Sequence, residues 1–147
     1  MTVLKSASIF WLLSFLLLLP SACKPASQLI SVTQVIDGDT IIIEGGYHVR
    51  YIGIDAPESN EPYYEEARQM NEDLVEGRQV RLESDVNDKD QYGRMLRYVY
   101  AGDTFINAEM VRRGWAWSTA YPPDLKYQVY LEAMEKEARE LKRGLWQ

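Results

Sequence analysis

The stretch from residue 29 to residue 55 is rich in Ile, Val, Thr and Tyr, and it is interrupted at Asp37-Gly38-Asp39 and at Gly45-Gly46. β-Branched and aromatic runs bounded by glycine turns are typical of strands joined by tight turns. The pattern predicts three strands here. Residues 80–82 and 95–100 have the same character and predict two more, the second turning at Ala101-Gly102-Asp103.

Helical spacing appears in three other places. Tyr63, Ala67, Met70 and Leu74 recur at intervals of four, three and four, with Asn60 as the candidate N-cap and Gly77 as the stop. A short helix is predicted over residues 107–113, closed by Gly114. The last follows Pro122-Pro123-Asp124 and ends at Lys142-Arg143-Gly144, with apolar positions at Tyr127, Leu131, Met134, Ala138, Leu141 and Leu145.

Five short strands with a helix inserted between the third and the fourth indicate a small closed barrel of the oligonucleotide/oligosaccharide-binding kind. We therefore expect an α+β, mainly β fold: a five-stranded OB-fold barrel with three helices. The length of 147 residues suits one such domain and leaves no room for a second of full size.

The first residues have the plan of an export signal. Lys5 precedes an apolar run over residues 9–19, and the small residues Ser21 and Ala22 follow it. Eleven apolar residues fall short of the roughly 20 that span a bilayer as a helix. We expect a signal peptide over residues 1–22, a tether over 23–28 and the folded domain over 29–147.

The end of the signal, Leu19-Pro20-Ser21-Ala22-Cys23, resembles a bacterial lipoprotein processing site. It departs from that pattern because Pro20 stands where leucine is usual. Two expectations stay open: an exported protein lipid-anchored to the cell envelope at Cys23, its one link to a membrane, or a periplasmic or secreted protein with a free thiol.

Composition narrows the chemistry. One cysteine and one histidine, His48, exclude an intramolecular disulfide and a Cys/His zinc site, and we interpret His48 as a residue on a strand surface. The formal net charge of -6 argues against a broad basic face that coats nucleic acid. Any polyanionic ligand must therefore be held locally.

Three segments concentrate polar residues where strands end: Val35-Ile36-Asp37-Gly38-Asp39-Thr40, Arg50-Tyr51-Ile52-Gly53-Ile54-Asp55-Ala56-Pro57-Glu58 and Asp90-Gln91-Tyr92-Gly93-Arg94. Asp39 and Asp55 offer short carboxylates suited to a hard cation such as calcium, whereas Asp37 is interpreted as a brace of its turn. An EF-hand is excluded, since residue 41 is isoleucine. The alternative for both aspartates of the first segment is a turn alone.

The ordered set of segments resembles the staphylococcal nuclease (thermonuclease) family, and the likeness extends from about Val32 to Trp146. It implies calcium at Asp39, Asp55 and the backbone carbonyl of Ala56. The resemblance also implies that the protein is a calcium-dependent nuclease that hydrolyses DNA and RNA to 3′-phosphate ends with little sequence preference. We expect it to act as a monomer. The rival interpretations are a non-catalytic nucleic-acid-binding module on the same barrel and a structural envelope lipoprotein.

The same resemblance assigns roles to five further side chains. Arg50 and Arg94 carry planar donor forks that suit phosphate oxygens, and the family implies that they clamp the scissile phosphate. Glu58 is implied as the general base that activates water. Tyr92 and Tyr121 resemble tyrosines that touch phosphate and base. The alternatives are surface ion pairs for the arginines, a helix cap or water-mediated metal contact for Glu58, and core packing for Tyr121.

Two features of these site residues have physical consequences. Arg50 and Asp55 are five residues apart, so an unbroken strand would point them to opposite faces, and a bulge or sharp coil near Gly53 must intervene. Arg50 and Arg94 with the carboxylates of Asp39, Asp55 and Glu58 carry a formal charge of -1, which calcium would change to +1. Metal is therefore expected to control both binding and chemistry.

Overall fold

A computed structural model describes residues 28–147, so the predicted signal peptide, Cys23 and nearly all of the tether lie outside the described residues. The elements in chain order are β1 (Leu29–Val35), β2 (Thr40–Ile43), β3 (Tyr47–Tyr51), β4 (Ile54–Asp55), α1 (Tyr64–Val75), β5 (Gln79–Glu83), β6 (Met95–Ala101), β7 (Thr104–Phe105), α2 (Ile106–Arg112), β8 (Trp117–Ser118) and α3 (Gln128–Glu140), followed by a 3-10 turn over Gly144–Trp146.

Five strands close into a barrel. They run in the order β3-β2-β1-β5-β6 with antiparallel neighbours, and β3 pairs with β6 in parallel to complete the ring. β1 pairs with two strands: its first three residues pair with β5, and the segment from Val32 to Val35 pairs with β2, with a register shift between Val32 and Gln34. The predicted five-stranded barrel with three helices is confirmed.

Alternate strand residues and one side of each helix fill the barrel. The buried apolar residues include Val32, Ile41, Ile43, Val49, Val80 and Val99 from the strands and Ala67, Val75, Met110, Val111 and Leu131 from the helices. Burying each of the larger of these side chains contributes about 1.5–3 kcal/mol. Within residues 28–147, every helix is too short or too polar to cross a membrane.

The helix boundaries show where local signals misled. α1 begins at Tyr64, after Tyr63 in the left-handed region at φ 68°, so the prediction of Asn60 as N-cap is wrong. The Glu61 N–H donates to the carbonyl of Glu58 at 2.8 Å and forms a turn. This turn includes Asn60, so the helix begins only after it. Gly77, with φ 66°, follows the helix as predicted.

The C-terminal helix is shorter than its apolar spacing suggests. α3 ends at Glu140, and Lys142 adopts φ 50°, which turns the chain out of the helix. Leu145, predicted to continue the helical stripe, instead donates its N–H to the carbonyl of Gly114 at 2.8 Å. The chain end is therefore pinned to the turn that follows α2. The predicted short helix is α2, displaced by one residue.

Candidate active site

The loop between β1 and β2 presents Asp39 to the end of the barrel. Asp37 Oδ1 accepts the Asp39 N–H at 2.9 Å, and Asn71 Nδ2 from α1 donates to the Asp37 carbonyl at 2.8 Å. Asp37 therefore braces the turn, as expected. A Cβ placed on Gly38 would lie 2.6 Å from the Cβ of Ala56, so only glycine lets this loop approach the segment after β4 so closely.

Arg50 joins the two candidate metal carboxylates. Its Nε lies 3.1 Å from Asp39 Oδ1, and its Nη2 lies 2.7 Å from Asp55 Oδ1. Nη1 donates to the carbonyls of Tyr51 and Ile54 at 2.8 and 2.7 Å. With 9% of the residue exposed, this guanidinium is held in one orientation. Nη2 retains one N–H that can reach a ligand.

The turn at Gly53 makes this meeting of Arg50 and Asp55 sterically feasible. Gly53 has φ 79° between β3 and β4, and this left-handed residue redirects the chain so that Asp55 returns to the Arg50 side. The expected break near Gly53 is thus confirmed. β4 is held there by β8, with Asp55 opposite Trp117.

Asp39 is a buried acid whose charge the protein only partly offsets. Oδ2 accepts the Ala56 N–H at 2.7 Å and Oδ1 accepts the Thr40 hydroxyl at 3.0 Å. Burial nevertheless raises the pKa of Asp39 to about 7, against the opposing effect of Arg50 and these hydrogen bonds. A nearby cation would favour the charged form.

The donor set around Asp39 fits a hard cation. The Asp55 side chain is 45% exposed, and one of its oxygens, Oδ2, has no hydrogen-bond partner in the described part of the chain. No group of three or more Asp, Glu, His or Cys side chains that could hold a metal occurs within residues 28–147. Two carboxylates completed by the Ala56 carbonyl and water match the mixed oxygen shell of calcium.

Glu58 lies on the coil after β4 and is exposed. Its backbone N–H donates to Glu61 Oε2 at 2.8 Å, while its own carboxylate accepts no hydrogen bond from the residues described. Because α1 begins six residues later with no side-chain cap, the helix-cap alternative is wrong. The carboxylate is free to contact water.

The second arginine is held by a residue that the sequence interpretation missed. Asp90 accepts the Arg94 guanidinium Nε at 2.6 Å and the backbone N–H groups of Arg94 and Tyr92 at 3.0 and 2.9 Å. Partial burial favours a higher pKa for Asp90, but these bonds prevail and hold that pKa below its usual range. The available signal was its position opening the Asp90–Arg94 segment, four residues before the arginine.

These groups share one cleft of about 590 Å³. Its lining is Arg50, Tyr51, Ile52, Asp55, Glu58, Asn87, Lys89, Asp90, Gln91, Tyr92, Arg94, Leu96, Tyr121, Pro122 and Asp124. Six of the eight predicted site residues are among them. The other two, Asp39 and Ala56, are buried and bonded to each other, and Asp39 connects to the cleft through Arg50.

A model of the family described as staphylococcal nuclease homologue matches residues 48–147, more than half of the chain. This chain belongs to the staphylococcal nuclease family. It is 38% identical over 128 residues to a thermonuclease of Staphylococcus hyicus, a match spanning 81% of this chain and 76% of the relative. A micrococcal nuclease of Shigella flexneri is 40% identical over 132 residues, covering 78% and 71% of the two chains.

An endonuclease of Bacillus subtilis, YncB, is 35% identical over 136 residues and extends the likeness to 84% of this chain, although that is only 64% of the relative. The family match begins at residue 48. It therefore includes Arg50, Asp55, Glu58 and Arg94 but not Asp39, whose place in the site rests on its contacts with Arg50 and Ala56.

The two tyrosines lie on the cleft walls of this family member. Tyr92 is 75% exposed, and its ring centre lies 5.5 Å from the Arg94 guanidinium carbon. Tyr121 is 45% exposed, so the core-packing alternative is wrong. Burial of part of its ring and the nearby Asp55 carboxylate raise the pKa of Tyr121.

The cleft lining contains charged side chains that the count from the sequence motifs did not include. Three cationic side chains, Arg50, Lys89 and Arg94, face four anionic ones, Asp55, Glu58, Asp90 and Asp124. Lys89, Asp90 and Asp124 were not foreseen as site residues. A phosphodiester entering the cleft therefore meets a net negative lining, and the buried Asp39 adds to it.

Proposed function

We propose that this protein is an exported, calcium-dependent nuclease that hydrolyses phosphodiester bonds of DNA and RNA with little sequence preference and leaves 3′-phosphate ends. One observation carries the proposal: the Arg50 guanidinium bonds both Asp39 and Asp55 beneath a cleft whose walls hold Arg94 and Glu58. Family membership and the nuclease names of the relatives support the same reaction.

Calcium would be held by Asp39, Asp55 and the carbonyl of Ala56, and when bound it would supply positive charge that stabilises the developing phosphorane. The proposed requirement for calcium follows from the charge of the cleft, since the net negative lining alone repels a phosphodiester. A divalent ion offsets that negative charge at contact distance, where salt screens least.

The side chains of this chain have separate tasks. Glu58, whose exposed carboxylate accepts no hydrogen bond from the described residues, holds a water and takes its proton as the water oxygen attacks phosphorus. Arg50 and Arg94 donate to the non-bridging oxygens as their charge grows. The bond from phosphorus to the 5′ oxygen breaks, that oxygen takes a proton from solvent, and the phosphate stays on the 3′ side.

The residues before position 28 bear on where this happens. The expected signal peptide and Cys23 support export, with the protein either lipid-anchored in the cell envelope or released. We propose that it acts there as a monomer on polynucleotides from outside the cytoplasm. Mass measurement of the mature N-terminus distinguishes the lipidated from the free form.

Exchange of Glu58 for glutamine tests the assignment of the base. Glu58→Gln should lose at least about 10²-fold in kcat on a single-stranded oligonucleotide in calcium, because general-base catalysis contributes about 10²–10⁴. Binding of the oligonucleotide should persist. The matched control is Glu66→Gln, an exposed glutamate on α1 outside the cleft lining, which should keep full activity.

Near-full activity of Glu58→Gln would remove Glu58 from the mechanism. A wild-type protein that binds the oligonucleotide in calcium but leaves it intact would instead support the non-catalytic binding module.

A further inference from the structure

Asp124 is a buried carboxylate in the cleft wall that the proposed chemistry does not use. It is 2% exposed, and no lysine or arginine of the described chain lies within ion-pair distance of it. Both of its oxygens are instead taken by one residue: the Asn87 backbone N–H at 2.8 Å and the Asn87 Nδ2 at 2.7 Å. Burying an acid this way is costly, so the contact calls for a reason.

The contact joins two segments that are distant in sequence. On one side, the Asp124 N–H donates to the Tyr121 carbonyl at 2.8 Å, which closes the tight turn that carries Tyr121. On the other side, Asn87 lies in the connection from β5 to β6, whose next part is the hairpin that carries Arg94. Tyr121 and Arg94 both line the cleft.

The segment after Asn87 connects this residue firmly to the hairpin that carries Arg94. Arg97 holds Asp88 through the carboxylate at 2.5 Å and the carbonyl at 2.9 Å, and the Leu96 N–H donates to the same carbonyl at 2.9 Å. Lys89 and Met95 then form an isolated antiparallel β-bridge across the turn. A displacement of Asn87 would therefore move the base of the hairpin that presents Arg94.

We propose that Asp124 is a positioning residue: its two bonds to Asn87 set the separation between the Tyr121 wall and the Arg94 wall of the cleft, and so set the affinity for the polynucleotide. The inference rests on the proposed nuclease function. Asp124 acts through Asn87 and not by contact with the polynucleotide, because the residue is 2% exposed and each of its carboxylate oxygens accepts a hydrogen bond from Asn87.

Four variants separate positioning from mere stability: Asp124→Ala, Asn87→Ala, the double variant, and Asp124→Asn. With a single-stranded oligonucleotide in calcium, Asp124→Ala should raise KM about tenfold and Asn87→Ala should raise it less, because the backbone N–H of residue 87 still donates to Asp124 Oδ1. Both variants should change kcat less than about threefold. The double variant should match Asp124→Ala, because Asp124→Ala already removes both bonds, including the Nδ2 bond that Asn87→Ala removes. Asp124→Asn should restore KM to within about twofold, since the Asn87 amide can rotate to pair with an amide.

The matched control for lost stability is Glu109→Ala. Glu109 pairs with Arg112 and Arg113 on α2, away from the cleft lining, so this variant should lower the melting temperature and leave KM unchanged. If Asp124→Ala does not fold, Asn87→Ala and Asp124→Asn carry the test.

Amide hydrogen exchange supplies a readout that does not need activity. Exchange over residues 88–94 should accelerate in Asp124→Ala and stay near wild type in Asp124→Asn. Unchanged exchange there, additive effects of the two alanine variants, or a KM shift no larger than that of Glu109→Ala would overturn the inference. A wild-type protein inactive in calcium would refute the proposed function, while the exchange data would still decide whether Asp124 holds the hairpin.

Discussion

The Arg94 guanidinium lies 2.6 Å from the Asp90 carboxylate, at the mouth of a turn in which the same carboxylate also accepts two backbone N–H groups. Asp90 thus shapes the turn with one oxygen, Oδ1, and orients the arginine with the other, Oδ2. The two tasks can be separated by mutation, because an asparagine can keep the first and lose the second.

Asp90→Asn should therefore lower kcat about tenfold with little change in thermal stability. The Oδ1 acceptor of asparagine preserves the turn, while its amide nitrogen cannot accept from Arg94. Asp90→Ala should also destabilise the turn and lower the melting temperature. Steady-state kinetics and thermal unfolding of both variants provide the check, and an Asp90→Asn enzyme with wild-type kcat would show that Arg94 needs no such orientation.

Lys89 is expected to contact a substrate phosphate. It is exposed, it lines the cleft, and no described carboxylate pairs with it, unlike Arg50 and Arg94. Lys89→Gln should weaken oligonucleotide binding and reduce the slope of log affinity against log salt by about one.

Oligonucleotide affinity can be measured by fluorescence anisotropy in the Glu58→Gln background. The control Lys136→Gln removes an equal charge from an exposed site on α3, and it should not weaken oligonucleotide binding. Equal salt slopes for Lys89→Gln and Lys136→Gln would mean that Lys89 makes no phosphate contact.

The acid stability of the fold should depend on Glu109. Hydrogen bonds from Arg112 lead the causes that lower the pKa of Glu109 to about 2, from an ordinary value of 4.5. Because the folded pKa is depressed, the stabilisation is full above pH 4.5 and is lost as the pH falls toward 2.

Glu109→Gln should thus lower the free energy of unfolding by about 1–2 kcal/mol at pH 7, a discounted value because the arginines are partly exposed. The difference from wild type should shrink toward zero near pH 2. Denaturant unfolding at several pH values measures it, and a difference that persists unchanged at low pH would rule out this pair as its source.

Gly53 should be needed for more than stability. At φ 79° an alanine is strained by about 1–2 kcal/mol, and its Cβ would lie 2.5 Å from Leu131 Cδ1. Gly77→Ala is the matched control, since φ is 66° there and nothing lies within 4 Å of the added carbon. Gly53→Ala should cost more unfolding free energy than Gly77→Ala and, by shifting Asp55 away from Arg50, should also weaken calcium binding in titration calorimetry. Calcium affinity equal to wild type in Gly53→Ala would contradict this link.

The barrel could be predicted from the sequence because strand composition and glycine turns act locally. Asp37-Gly38-Asp39 is a turn by its own chemistry, and the spacing of five positions from Arg50 to Asp55 demands a break if both side chains are to lie on one face. The two-residue strands β4 and β8 could not be foreseen, since a pair such as Ile54–Asp55 with Trp117–Ser118 has no periodicity and exists only through tertiary contact.

The site residues that would contact phosphate or metal directly could be predicted from their residue types. The residues that act by holding another residue in place could not. Arginine forks and strand-end carboxylates indicate phosphate and metal directly. Asp90 and Asp124 matter by what they hold, and Asp124 meets Asn87 across 37 positions of sequence. Asn60 failed as a cap for a related reason: the turn between Glu58 and Glu61 intervenes before the helix.

Digestion of supercoiled plasmid by the purified mature protein, in calcium and in excess chelator, tests the central claim most directly. We predict conversion of the plasmid to nicked, linear and then short fragments in calcium, with 3′-phosphate ends, and intact plasmid in chelator. Plasmid that stays intact in calcium, or is cut equally well in chelator, would contradict the account.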